Sequence, residues 1–251
     1  MKLCLSGVVI PCGKIYARES ASAINRVFLR GVGVGIFILG GMKKMSAQRL
    51  LNKRVLFIGG SPCSGKSTVA ERISKEYGAC YFKIDDYLDE FVNVAAQKGY
   101  PACKNCVTMT PDEIWMREPS IQCKEEFLIY DEISESVFEH LNKVDADFIV
   151  TEGAGYTPNV MMKYGRKEYI SIVPTPDFQI SHYKQREWVS YILKDCSDPQ
   201  QAFHNWMERD ILFAKQVKSE CEKNAVPCIV NDGCRSQDEM FGYVKELFDL
   251  K

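Results

Sequence analysis

Eight consecutive residues, Gly60-Ser-Pro-Cys-Ser-Gly65-Lys66-Ser67, fit the pattern G-x-x-x-x-G-K-[ST]. The residue types say what such a run can do. Glycines let backbone N–H groups curl around phosphate oxygens, and a helix that follows offers the positive end of its dipole. The Lys66 ammonium can neutralise β- and γ-phosphate charge, and the Ser67 hydroxyl can ligate Mg²⁺. The pattern has meaning only between a strand and a helix. Val55 to Ile58 reads as that strand, and Val69 and Ile73 recur at helical spacing behind the loop. The segment from Gly60 to Thr68, with Ser61, Pro62, Cys63 and Ser64 inside it, is therefore the candidate phosphate-holding loop.

Two further sets of acids stand where strands end. The run Cys80-Tyr-Phe-Lys-Ile84 reads as a second strand and leads into Asp85-Asp86-Tyr87, which puts two carboxylates at the carboxyl edge of a sheet, where open α/β sheets bind ligands. One residue of register decides which of Asp85 and Asp86 points into the crevice. A third strand, Asp147 to Thr151, runs into Glu152-Gly153, an apolar strand closed by an acid in the manner of a Walker-B element. Glu in place of the usual Asp leaves open whether Glu152 meets Mg²⁺ through water or polarises a water for hydrolysis.

These residues need a scaffold, and the pattern from Asn52 onward supplies one: short apolar runs alternate with helical stretches, the signature of βαβ units and a parallel sheet. The remaining strands are Arg54–Ile58, Tyr169–Val173 and Pro227–Val230, making five. Their near-continuous apolar character suits strands covered on both faces. Thr110-Pro-Asp-Glu113 and Ser236-Gln-Asp-Glu239 are capping boxes that start helices. Phe127, Ile133, Val137, Phe138 and Leu141 form a core-facing helical stripe. The economical organisation is one α/β domain over residues 46–251, with an insertion at 87–143 between the second and third strands.

With its phosphate loop in this context, the chain from about Lys53 to the C-terminus resembles the P-loop small-molecule kinases of the adenylate-kinase-like group, which includes nucleoside, nucleotide, shikimate and gluconate kinases, chloramphenicol phosphotransferase and zeta toxins. The resemblance implies a P-loop NTPase three-layer sandwich: a five-stranded parallel sheet with helices on both faces. It implies ATP and Mg²⁺ as cofactors, with Ser67, Asp85 and Glu152 on the metal side and Asp85 or Asp86 as the base for the acceptor hydroxyl. It implies lid arginines that cover the transferring group; Arg186 and Arg209 flank the predicted short lid near residues 194–201. It places Arg117 in the substrate-side insertion and lays the loop Asn231-Asp232-Gly233 against the adenine ring.

The 251 residues are 46% hydrophobic and 26% charged, with a formal net charge of -1, which fits a soluble globular protein and excludes a broadly basic nucleic-acid binder. The eleven cysteines lack the spacing of a secreted disulfide scaffold and read as reduced thiols, so the expected compartment is the cytoplasm. Cys80 and Cys228, at strand starts, are expected to be small buried residues. Cys103-Lys-Asn-Cys106 has zinc-knuckle spacing but no second pair to complete four ligands. The histidines lack metal or triad spacing, although His182 is near enough in sequence to the fourth strand to approach the phosphates, and Trp115, Trp188 and Trp206 read as core.

Residues 1–45 read differently: Glu19 is their sole acid, and the apolar run Gly31–Gly41 is 11 residues long with five glycines. A spanning helix needs about 20 apolar residues, so no membrane association is expected. This segment reads as a poorly ordered extension, or as sequence ahead of a start at Met42 or Met45. The function expected is an ATP- and Mg²⁺-dependent phosphotransferase acting on a small-molecule hydroxyl or phosphate. The alternatives are a nucleotide-binding regulatory or adaptor protein and a plain NTPase.

Overall fold

Successive side chains of a strand point to opposite faces, so a strand that is apolar throughout must be covered twice. In the computed structural model, which describes residues 53–165 and 168–251, β1 (Arg54–Gly59) is buried from Val55 onward. Val55 and Phe57 enter one hydrophobic cluster and Leu56 and Ile58 another. The remaining strands are β2 (Cys80–Lys83), β3 (Phe148–Glu152), β4 (Tyr169–Pro174) and β5 (Cys228–Asn231). They form one sheet in the order β2-β3-β1-β4-β5, with every pairing parallel. The α/β class and all five expected strands are present. The expectations for residues 1–45 lie outside the described residues.

Parallel neighbours require crossovers, and helices supply them. On one face lie α1 (Lys66–Tyr77) and the C-terminal α10 (Gln237–Leu247), whose Val69, Ile73, Phe241 and Val244 pack on Leu56, Ile58 and Ile172. On the other face lie α5 (Pro119–Lys143), α6 (Pro158–Lys163) and α9 (Pro199–Lys223), together with α2 (Leu88–Gln97) and α3 (Pro101–Cys106). The connections α4 (Pro111–Trp115), α7 (Pro176–Lys184) and α8 (Trp188–Leu193) complete the chain, and a third cluster joins Trp115, Tyr183 and Trp206.

Helix starts follow the sequence signals. Thr110 and Glu113 form a reciprocal capping box at α4, and Ser236 and Glu239 form one at α10. At α9 the Asp198 side chain accepts from the N–H groups of Gln200 and Gln201, with Pro199 at the first helical position. The segment 88–143 between β2 and β3 folds as the four helices α2 to α5. Its stripe is buried at Ile133, Val137, Phe138 and Leu141, while Phe127 is partly covered and stacks on Phe213 with ring centroids 4.4 Å apart.

Three details differ from expectation. β2 stops at Lys83, and Ile84–Tyr87 coil into a 3-10 turn because Ile84 is drawn into the core. β3 runs one residue further than expected, taking Glu152 into the ladder opposite Ile58 and Lys83. Cys80 is exposed and Cys228 half-buried: both begin the edge strands of the sheet.

Backbone freedom is demanded at one place above others. Gly60 has φ +115°, and a Cβ there would lie 1.9 Å from the carbonyl oxygen of Ile172 in β4. Gly78, which caps α1 at φ +68°, has nothing near an added Cβ. Gly78→Ala should therefore lose only the left-handed backbone penalty of about 1–2 kcal/mol, whereas Gly60→Ala should lose more than ~3 kcal/mol because β1 and β4 must also separate. Urea unfolding of the two variants checks this; equal losses would show that the approach of Gly60 to β4 is not a constraint.

Candidate active site

β1 is flanked by β3 on one side and β4 on the other, so the connections leave the sheet in opposite directions and open a crevice at the carboxyl ends of the strands. The loop after β1 fills the mouth of that crevice. It turns through left-handed conformations at Gly60, Cys63 (φ 58°) and Gly65 (φ 94°) and is pinned from several sides. The Ser61 hydroxyl donates to the carbonyl of Asp210 at 3.4 Å, and Asn231 Nδ2 donates to the carbonyl of Ser64 at 3.0 Å. Lys66 Nζ donates to the Ser61 carbonyl at 2.6 Å and to Ser64 Oγ at 3.4 Å.

α1 then starts from Gly65 with no side-chain cap and no acid in its first turn, so the positive end of its dipole is not neutralised from within. A cavity of about 490 Å³ adjoins this start. Its walls are the residues Cys63 to Val69 together with Phe178, His182, Arg186, Asn231, Gly233 and Arg235. Gly233 is tightly confined there, since a Cβ would meet the Phe178 ring at 2.8 Å, and that ring stacks on His182 with centroids 3.9 Å apart.

Beside the lysine sits an acidic group. Glu152 is 1% exposed, and its Oε1 accepts hydrogen bonds from the Ser67 hydroxyl and the Tyr81 hydroxyl, each at 2.9 Å, with the Lys83 ammonium 4.0 Å away. Asp85, on the 3-10 turn, is half-buried, and Asp86 is exposed. Burial and then the neighbouring Glu152 push the Asp85 carboxyl up to about 7, while Lys66 and Lys83 work in the other direction. Burial pulls the Lys66 ammonium below its ordinary value, opposed chiefly by Glu152 and Asp85. Burial holds the Cys63 thiol protonated, at about 11.

The expected arginines divide. Arg186 lies just beyond α7 and lines the cavity, its guanidinium 5.4 Å from the Tyr183 ring and 5.5 Å from the Trp188 ring. Arg117 pairs with Glu125 at 2.6 Å, away from the cavity walls. Arg209 is 2% exposed and lies behind the site, not at its mouth. Its Nη2 donates to Asp210 Oδ1 at 2.6 Å, its Nε stands 3.3 Å from Glu126 Oε2, and Tyr183 donates to Asp210 Oδ2 at 3.0 Å.

Burial works to lower the Arg209 pKa, but Asp210 and Glu126 outweigh it and hold the group charged. The segment expected as a lid is short and tied down: Cys196 is buried, and the Ser197 N–H donates to Asp112 Oδ1 at 2.7 Å. The loop Asn231-Asp232-Gly233 borders the cavity through Asn231 and Gly233.

Sequence reasoning passed over Tyr81, Lys83, Glu126 and Phe178. Tyr81 and Lys83 alternate with core residues of β2 and carry no motif. Glu126 lies on a helix that reads as amphipathic, with nothing local to mark its buried partner. Among the described residues no group of three or more His, Cys, Asp or Glu is arranged to hold a metal, and no helix is long and apolar enough to cross a membrane.

No family model and no curated protein matches the chain. Among solved structures, an uncharacterized protein from Eubacterium ventriosum aligns over 79% of this chain and 99% of its own, with 15% identity and a TM-score of 0.39. A protein from Chloroflexus aurantiacus described as a "putative kinase" aligns over 78% of this chain and 98% of its own, with 11% identity and a TM-score of 0.36. At these values neither neighbour assigns an activity to this chain.

The buried cluster has a pH signature. Burial, reinforced by Asp210 and opposed by Arg209, raises the Glu126 carboxyl to about 7. An acid whose folded pKa is raised binds its proton more tightly in the folded state, so its contribution is full below the unfolded value and is lost as pH rises toward the folded one. Stability should fall between about pH 4.5 and 7, and Glu126→Gln should flatten that decline. Thermal unfolding of both proteins across that range checks it; an unchanged slope in the variant would place the titration elsewhere.

Proposed function

We propose that this protein is an ATP- and Mg²⁺-dependent phosphotransferase acting on a hydroxyl or phosphate of a small molecule, built as a P-loop kinase. The observation that carries the reading is one juxtaposition. A buried lysine opens a helix behind a glycine-strained loop, and a hydroxyl–carboxylate pair, Ser67 and Glu152, stands within hydrogen-bonding distance beside it with Asp85 alongside.

The donor set suits the proposed cofactors. Ser67, Glu152 and Asp85 offer hard oxygen ligands of the kind Mg²⁺ accepts directly or through water. The Ser67 proton is directed at Glu152, which leaves the oxygen lone pairs open to a cation. Bound with the nucleotide, Mg²⁺ supplies charge neutralisation at the phosphate oxygens. The rest of the chemistry falls to the chain itself. Backbone N–H groups of residues 60–68 and the start of α1 cradle the phosphates, and Lys66 compensates the charge of the outer ones.

Asp85, beside Lys66 and Glu152 at the end of β2, takes the proton of the acceptor. Asp86, being exposed, is the weaker candidate for that role. Arg186 reaches the cavity and offers a planar fork of donors to the transferring group. Asn231 and Gly233, with Asp232 between them in the chain, border the cavity beside the loop after β1, with Phe178 as an aromatic wall suited to a nucleobase. Arg209 belongs to this machinery as the buried support of the loop, and Arg117 as a residue of the acceptor-side insertion.

The test is incubation of the full chain with ATP, Mg²⁺ and a pool of small metabolites, followed by mass spectrometry, beside a Lys66→Ala control. A phosphorylated product that depends on Lys66 and falls by roughly 10²–10³-fold in the variant is expected. ADP without a product would leave a plain NTPase. Nucleotide binding without turnover, together with a partner whose affinity depends on the nucleotide, would indicate a switch.

A further inference from the structure

The β2–β3 register places three polar groups on one face of the sheet. Lys83 pairs with Glu152 and Tyr81 with Val150, so Tyr81, Lys83, Val150 and Glu152 all point toward α1, the helix that carries Ser67. Tyr81 is therefore the diagonal neighbour of Glu152, a separation of about 7–8 Å that a tyrosine can span. It does so: its hydroxyl donates to Glu152 Oε1 at 2.9 Å, the same oxygen that takes the Ser67 proton at 2.9 Å.

Glutamate has one more rotatable bond than aspartate, and a single hydroxyl on one oxygen does not fix its carboxylate. Two donors on one oxygen, arriving from β2 and from α1, leave it one orientation. Tyr81 is in hydrogen-bond contact with Ser67 as well, so Tyr81, Glu152 and Ser67 form one closed triangle that fixes the Ser67 hydroxyl at the cavity wall.

We propose that Tyr81 is a positioning residue for this site: through Glu152 it sets the orientation of the Ser67 hydroxyl and so the affinity of the site for a divalent cation bound with the nucleotide phosphates. The inference rests on the phosphotransferase reading given above. It names Tyr81 as the residue that makes a glutamate serve at the end of β3. Nucleotide phosphates themselves are held by the loop, so loss of the Tyr81 hydroxyl acts on the metal and not on the nucleotide.

The experiment uses the full chain and a fluorescent ATP analogue, titrated with EDTA present and again at rising Mg²⁺, in wild type, Tyr81→Phe and Glu152→Gln. Tyr81→Phe keeps the ring and its packing. It should bind the analogue without metal within about twofold of wild type, while the Mg²⁺ concentration for half-maximal enhancement rises roughly tenfold, in the range of lost outer-shell partners. Glu152→Gln should shift in the same direction by at least as much. A urea midpoint for Tyr81→Phe close to wild type separates positioning from folding. If Tyr81→Phe follows the wild-type Mg²⁺ curve while Glu152→Gln does not, Tyr81 only packs and the proposal falls alone. If wild type itself binds the analogue with no response to Mg²⁺, the metal-dependent reading of the site falls first and takes the proposal with it.

Discussion

A guanidinium enclosed by protein has to be surrounded by charge, and Arg209 meets that requirement with residues from two helices at once. Its partners are Asp210 beside it on α9 and Glu126 on α5, and Tyr183 from α7 completes the hydrogen bonding of Asp210. Burying an ion costs several kcal/mol, which is recovered only when the geometry is close and the remaining polar atoms are satisfied. The helices are consequently held in one mutual arrangement. The loop after β1 hangs from the same place, since Ser61 donates to the backbone carbonyl of Asp210. An arginine that reads locally as a mobile charge over the reacting group is instead the anchor of the wall behind it.

Packing enforces the loop's shape from the opposite side. Gly60 touches the backbone of β4 so closely that no side chain fits, and Gly59 is similarly confined by Tyr156 and Tyr169. The loop therefore has little freedom at its start, while Asn231 fixes its far end by donating to Ser64. A loop constrained at both ends presents its backbone donors without reorganising when charge arrives, the condition under which fixed dipoles stabilise anions best. Lys66 shares that logic: burial pulls its ammonium below its ordinary value, and Glu152 and Asp85 close by oppose that pull.

Much of this was legible in the residue order. The strands announce themselves as apolar runs because a parallel sheet is covered on both faces, and the loop Gly60–Ser67 announces itself because its glycines, lysine and serine stand so close together in the chain. The caps at Thr110 and Ser236 are equally local, each within three residues of the N–H groups it satisfies. What was not legible depends on partners far apart in the chain. Glu126 meets Arg209 across 83 positions, and Tyr81 meets Glu152 across 71. No spacing rule joins such pairs, since their distance is set by how helices and strands stack.

The sequence by itself determined the α/β class, the five strands, helix starts at Thr110 and Ser236 and the glycine-rich loop after β1, because each follows from hydrophobic period, capping chemistry or contiguous residues that act over one or two turns of chain. Tertiary structure decided which charges face the crevice. It left Asp85 half-buried and Asp86 exposed on a 3-10 turn that buries Ile84, sent Arg186 to the cavity and Arg209 behind it, and joined Tyr81 to Glu152 through the β2–β3 register. The physical reason is common to all four. A side chain's direction at the end of an element depends on what packs against that element, and that is a property of the assembled layers, not of the neighbouring residues in the chain.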